Sequence, residues 1–296
     1  MLHVDHASRQ GANNMRTGLP SDWTTFHRRV PGTGRRLRVH CSRDDTQWAE
    51  LAPAYWNDAL PDIHPFRESR AARVHLGRIA TEPLYFKRFL SRGASDVLKH
   101  LLRPSRAMRA CIAGEALRGL GFRTPEPCCV IEAPHAGAVV ESALITRAIE
   151  DTFNLYDWFH EDRGEIQEKR DLLHAYGTEI GRMHACGIFH GDMRKSNALC
   201  HAGEGPRRFY WLDNERTRVG RLSQRRRVKN LVQVNMERDG VTRTDRMRFW
   251  KAYVPAAGID VALARALRRR VLEKTQKRWH RLGALPSSGG TGLDVN

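Results

Sequence analysis

The stretch GIFHGDMRKSN, Gly187 to Asn197, sets a His, a Gly and an Asp in succession and an Asn five residues after the Asp. An ordinary surface loop has no need of that spacing. Directly after it, ALC and RFYWL read as two short strands around the turn HAGEGP, and Asp213 stands just past the second strand. An antiparallel hairpin brings its ends together, so Asn197 entering it and Asp213 leaving it are expected at one mouth, with Asp192 in the preceding loop. Three oxygen-bearing side chains then converge. Carboxylate and amide oxygens suit Mg2+, a hard cation that also takes phosphate oxygens. In outline this is a phosphoryl-transfer site.

Upstream, RVHLGRIATEPLYFKRFL reads as two strands joined by a turn at Thr81 to Pro83, with Tyr85, Lys87 and Phe89 on one side of the second. PSRAMRACIAGEALRGLGF reads as a helix started by Pro104 and Ser105 and stopped by Gly121, with Met108, Ile112 and Glu115 near one face. PEPCCVIEA and VVESALITRAI read as two further strands, EDTFNLYDWF as a short polar stretch, and Glu168–Gly187 as a second helix with Leu173, Tyr176, Ile180 and Met183 at helical spacing. The remainder is helical and basic. The offsets of His190-Gly191-Asp192, Asn197 and Asp213-Asn214-Glu215 are those of the protein-kinase catalytic loop and metal-binding segment. Lys87 on a strand and Glu115 on the following helix stand where kinases carry the ion pair that holds the nucleotide phosphates.

The segments FKRF, RPSRAMRACIAGEALRGLGFRTPEP, HGDMRKSNAL, WLDNER and TRTDRMRFWKAY together resemble the bacterial lipopolysaccharide core kinases, the Kdo/heptose kinase family, from about Phe66 to about Tyr253. The resemblance implies a two-lobed α+β protein-kinase-like fold and transfer of the γ-phosphate of ATP to a sugar hydroxyl of the lipopolysaccharide inner core. The expected organisation is a disordered leader over 1–25, an N-lobe of small antiparallel sheet plus one helix over 26–150, a mainly helical C-lobe with the catalytic loop over 151–285, and a flexible tail over 286–296. Two departures stand out. No G-x-G-x-x-G loop is present, and FRESRAARV stands where the phosphate-covering turn belongs, so phosphate gripping falls to backbone N–H groups, Ser69 and Arg70. Asp213-Asn214-Glu215 lacks the final Gly of the kinase D-F-G, which gives no support for a swinging activation segment.

Each residue has a role and a bland alternative. Asp192 is expected to orient and accept the acceptor hydroxyl, against a loop Asp that makes a turn. Asn197 and Asp213 are expected metal ligands, against turn and strand-end capping. Lys87 is the expected phosphate lysine, against a snorkelling edge lysine with neighbouring Arg88 in the other register. Glu115 is its expected partner, against a solvated helix carboxylate. Arg194, or Lys195, is expected to stabilise transition-state charge, against a solvated basic loop. His190 is expected to hold the loop by hydrogen bonds.

The 50 Lys and Arg against 33 Asp and Glu give a net charge of +17, which points to an anionic partner. The basic runs Arg225–Arg227 and Arg268–Arg270 read equally as attraction to an anionic glycolipid and lipid headgroups or as solvated helix faces. Trp250 and Trp279 are candidates for a membrane interface or for the core. No apolar run is long enough to span a bilayer and the first residues lack a signal-peptide core, so the expected place is the cytoplasm, with contact at the inner-membrane surface. Two other functions keep their standing at this stage. One is an aminoglycoside or other small-molecule phosphotransferase, for which EDTFNLYDWFHED is the one candidate acidic rim. The other is a catalytically inactive kinase-like protein that binds an anionic partner; no helix-turn-helix, zinc or RNA-recognition signature supports nucleic acid as that partner.

Overall fold

The computed structural model describes residues 19–79, 81–90, 103–135, 138–161, 164–203, 205–238 and 240–283. The expected tail and most of the expected leader lie outside these ranges. The described residues form two compact units: one runs up to Glu150 and includes Asp213–Arg216, and the other comprises Asp151–Leu212 and the chain from Thr217 on.

The first unit is built on a seven-stranded antiparallel sheet in the order β1-β2-β6-β7-β5-β4-β3. Its strands are β1 (Thr24–Arg29), β2 (Arg36–Cys41), β3 (Ile63–Ser69), β4 (Ala72–Ile79), β5 (Glu82–Phe89), β6 (Pro127–His135) and β7 (Ala138–Arg147). Among the described residues two helices accompany it, α1 (Trp48–Trp56) and α2 (Arg106–Gly119), where the sequence led us to expect a small sheet and one helix. The leader expectation also shifts: β1 begins at Thr24, and Leu19 and Trp23 pack against an apolar cluster containing Phe89 and Met108.

α1 escapes a reading by pattern because Pro53 lies inside it. An interior proline costs about 3 kcal/mol. Trp48, Tyr55 and Trp56 are all buried against the sheet, with Trp48 and Tyr55 ring-to-ring on Phe86 at 5.7 and 5.3 Å. Each contributes roughly 1.5–3 kcal/mol of burial, so the three together outweigh the proline. α2 follows its sequence signals: the Ser105 hydroxyl accepts from the Met108 amide, and Gly121 takes the left-handed φ of +78° after the last turn.

β5 lies between β7 and β4 and is covered on both faces. Leu84 and Phe86 enter the cluster of Trp48 and Tyr55, while Phe89 enters the cluster of Met108 and Cys111. Lys87 alternates with Phe86 and so shares the α2 side with Phe89.

The second unit holds a three-stranded antiparallel sheet, order β10-β9-β8, of β8 (Thr152–Asn154), β9 (Ala198–His201) and β10 (Phe209–Trp211). Its helices are α3 (Leu155–His160), α4 (Ile166–Ala185), α5 (Gln224–Asn235), α6 (Arg243–Ala256) and α7 (Val261–Arg281). The stretch EDTFNLYDWF, expected to be a polar connection, therefore contains a strand and a helix, with Asn154 capping α3 by accepting from the Tyr156 amide. Leu155, Trp158 and Phe159 bury themselves, which is why it is not a loop. The last residue of the candidate acidic rim, at position 162, lies outside the described residues.

α4 buries Leu173, Tyr176, Ile180 and Met183 as its periodicity requires. It packs on α6 at very close range through Gly177 and Gly181, one turn apart: a Cβ on Gly177 would lie 2.4 Å from the Phe249 carbonyl oxygen. α6 begins in a capping box between Thr242 and Asp245. No described helix is long and apolar enough to cross a membrane.

Candidate active site

The catalytic-loop residues all lie in the second unit. α4 ends in a turn in which the Ile188 amide donates to the Met183 carbonyl, and Phe189 then pairs both ways with Arg218 at 2.9 Å. His190 follows, fully buried. Its Nε2–H donates to the Leu212 carbonyl at 3.0 Å and its Nδ1 accepts from the Asp192 amide at 3.3 Å. That tautomer makes it a brace, as expected.

The Asp192 carboxylate is oriented by two amide N–H donors and an ion pair. Oδ1 accepts from Gln233 Nε2 at 3.2 Å and pairs with the Arg194 guanidinium, whose Nε is 3.0 Å away; Oδ2 accepts from Asn197 Nδ2 at 3.1 Å. Asn197 Nδ2 also donates to the Asp192 carbonyl at 2.9 Å, so the amide nitrogen is committed to the loop. Asn197 sits where β9 begins, and its carbonyl accepts from the Leu212 amide at 2.9 Å. The next residue in the chain is Asp213.

Gln233 belongs to a relay that the sequence reading missed. Arg227 donates to the Tyr253 hydroxyl, which donates to His184 Nδ1. His184 Nε2–H donates to Asn230 Oδ1, the Asn230 amide donates to Gln233 Oε1, and Gln233 donates to Asp192. The only sequence signal was a pair of amides, Asn230 and Gln233, three apart among Val228, Leu231, Val232 and Val234 on an otherwise basic helix. Buried amides must be hydrogen-bonded.

Burial, followed by the Arg227 charge, pushes the His184 imidazole down to about 3. Its folded value lies below the ordinary 6.5, so its contribution to stability is complete above pH 6.5 and is lost as pH falls below it. We expect the second unit to lose about 2 kcal/mol of stability from this group between pH 7 and pH 5. Urea unfolding at the two pH values should show a smaller loss in His184→Gln; an equal loss would assign the dependence elsewhere.

Lys195 does not share the role open to Arg194. It is 5% exposed, with its ammonium 4.6 Å from the Phe159 ring centroid, and burial pushes its amine down to about 7. With Arg246, Arg268 and Trp250 it lines a largely apolar cavity of about 60 Å³ in the second unit. Arg194 is the exposed cation of the pair. The other basic features are also partly committed: the Arg226 and Lys229 cations lie over the Phe189 ring, and Trp279 is pinned by its Nε1–H on the Met236 carbonyl.

The remaining site residues lie in the first unit. Lys87 Nζ is 2.8 Å from Asp213 Oδ1. Glu115 is not its partner. The Glu115 carboxylate pairs with Arg118 at 3.5 Å on its own helix, and burial raises its carboxyl above the usual range. The reason is distance along α2. Its first turn lies beside β5, with the Arg106 guanidinium 4.7 Å from the Phe89 centroid and the Lys87 ammonium 5.1 Å from that same ring. Glu115 is nine residues further on, about 13 Å along the axis. Ser69 is likewise absorbed by structure: its hydroxyl accepts from the Ala71 and Ala72 amides and donates to the Ala72 carbonyl, closing the β3–β4 turn.

Among the described residues no group of three or more His, Cys, Asp and Glu could hold a metal by itself. Amide and carboxylate oxygens, the donor types of Asn197 and Asp213, are those a hard cation such as Mg2+ takes beside phosphate oxygens and water.

The sequence model of the Lipopolysaccharide kinase (Kdo/WaaP) family matches residues 66–253, a span that contains Lys87, Asp192, Arg194, Asn197 and Asp213. Among solved structures, "WaaP in complex with acyl carrier protein" matches with a TM-score of 0.56 and 20% identity, over 81% of this chain and 96% of that one. As many as 329 solved chains match, so the fold is widely shared and selects no acceptor. A comparison with curated proteins gives no match. The chain is thus a phosphotransferase of the kinase class, which uses ATP and acts on an alcohol group. It belongs to the lipopolysaccharide kinase (Kdo/WaaP) family.

Proposed function

We propose that the chain transfers the γ-phosphate of Mg-ATP to a hydroxyl of a Kdo or heptose residue of the lipopolysaccharide inner core. The observation that carries this reading is the Asp192 carboxylate, aimed by Gln233, Arg194 and Asn197. Asp192 accepts the hydrogen bond of the sugar hydroxyl and points its oxygen at the phosphorus; the work is positioning and charge stabilisation. Arg194 exchanges its contact with Asp192 for the charge that develops on the transferring phosphoryl group. Lys87 holds nucleotide phosphate. Asn197 and Asp213 would hold Mg2+, which when bound neutralises charge across the phosphates. The net charge of +17 favours an anionic glycolipid over polycationic aminoglycosides, and favours contact with the cytoplasmic face of an anionic inner membrane.

The test is phosphate transfer from labelled Mg-ATP to purified Kdo-only and heptose-extended inner-core acceptors, beside an aminoglycoside panel. Label on a core acceptor is the expected result and chooses the sugar. Label on aminoglycosides alone would replace the acceptor. Salt-dependent binding to an anionic polymer with no ATP turnover would favour the inactive kinase-like reading.

A further inference from the structure

The ion pair that the sequence assigns to Lys87 and Glu115 leaves a question: what ties α2 to the Asp213 segment? Asp213 has φ +57°, the left-handed region, which strains a non-glycine residue and persists only where its surroundings hold it. Three neighbours do so. The Asn214 amide donates to Thr124 Oγ1 at 2.8 Å. The Glu215 carboxylate takes two prongs of Arg106, Nε at 2.6 Å and Nη2 at 3.2 Å. Lys87 holds Asp213 itself.

Arg106 does more than pair. Its Nη1 donates to the Ala71 carbonyl at 2.8 Å, in the β3–β4 turn that stands where kinases carry their phosphate-covering loop. Its guanidinium also lies on Phe89, the ring that carries the Lys87 ammonium. One planar group at the start of α2 thus fixes the turn, the lysine strand and the Asp213 segment. The side chains of Arg106 and Glu215 are 11% and 7% exposed. A pair this dry adds little net stability over an apolar replacement, and its two-pronged geometry specifies an arrangement.

We propose that Arg106 and Glu215 are positioning residues: together they hold Asp213 in its metal-binding pose and couple it to the β3–β4 turn, the task the Lys–Glu pair of the kinase pattern was expected to perform. This rests on the kinase reading above for what Asp213 does, but not for how it is held.

The test uses the full chain with Arg106→Lys, which loses the fork, Glu215→Gln, which keeps the shape, and the exchange R106E/E215R. In both single variants we expect kcat to fall on the order of tenfold to a hundredfold. The Mg2+ concentration for half-maximal rate should rise several-fold and the acceptor KM should stay unchanged. Amide exchange of residues 214–216 should accelerate selectively, and the double variant should recover part of each change. Single variants with wild-type kcat, Mg2+ dependence and exchange would overturn the proposal. So would faster exchange across the whole first unit, which marks a merely structural pair. If Arg106→Lys fails to fold, Glu215→Gln carries the same readouts. If the wild type transfers phosphate to no acceptor, the kinase reading fails, while local exchange still decides whether this pair holds Asp213.

Discussion

Replacing Asp192 by Asn should lower phosphate transfer by about a thousandfold, within the 10²–10⁴ range of a lost general base. The variant is isosteric, so the loop keeps its shape, but in the role proposed for Asp192 the acceptor hydroxyl loses its anionic partner. The local geometry adds to the effect. Both oxygens of Asp192 receive amide N–H donors, from Gln233 on the one that also pairs with Arg194 and from Asn197 on the other. An amide NH2 in either position faces a donor, a mismatch that costs roughly 1–3 kcal/mol. Steady-state kinetics with a core acceptor and calorimetric ATP binding separate the consequences. We expect kcat to collapse while ATP affinity stays within a few-fold, because Lys87 and Asp213 are untouched. Transfer within tenfold of wild type would remove Asp192 from the chemistry.

Gly187→Ala should be the most damaging small substitution in the catalytic-loop unit. Gly187 has φ +73°, and an added Cβ would lie 1.8 Å from the Gly220 carbonyl oxygen, which is backbone and cannot swing away. Left-handed strain of 1–2 kcal/mol adds to overpacking of 1–3, for a total of about 3 kcal/mol. Gly258→Ala is the control in the same unit: its φ of +60° imposes the strain, but nothing lies within 4 Å of the new Cβ. Urea midpoints of the two variants should therefore differ by the overlap alone. Equal midpoints would show that the approach to Gly220 relaxes freely.

What could be read in advance followed from local physics. Ser105 and Gly121 mark the ends of α2 because capping is a matter of neighbouring residues. The β9–β10 hairpin was legible from its glycines and proline, and the face of Lys87 from strand alternation. Distance in the chain set the limit. Glu115 and Glu215 are both plausible partners for a cation near β5, and only the packed position of α2 decides between them. Lys195 sits between Arg194 and Ser196 with no pattern to show that its chain turns inward, so its burial required the tertiary structure. Ser69 was legible as a turn residue, but not the use of its hydroxyl to close that turn. Asn230 and Gln233 were hidden by the basic composition of α5, although two buried amides are what an oriented carboxylate needs nearby.

The four residues Asp213–Arg216 belong to the sheet-built unit, while the chain on either side of them belongs to the helical one. Neither unit is therefore a continuous stretch of sequence. A fragment ending at Glu150 would carry Arg106 without Glu215 and Lys87 without Asp213, two cations stripped of their carboxylates. The complementary fragment would carry those carboxylates away from both lysine and arginine. No single cut in the chain can therefore release the two units intact, because the sheet-built unit takes four of its residues from inside the stretch that forms the other.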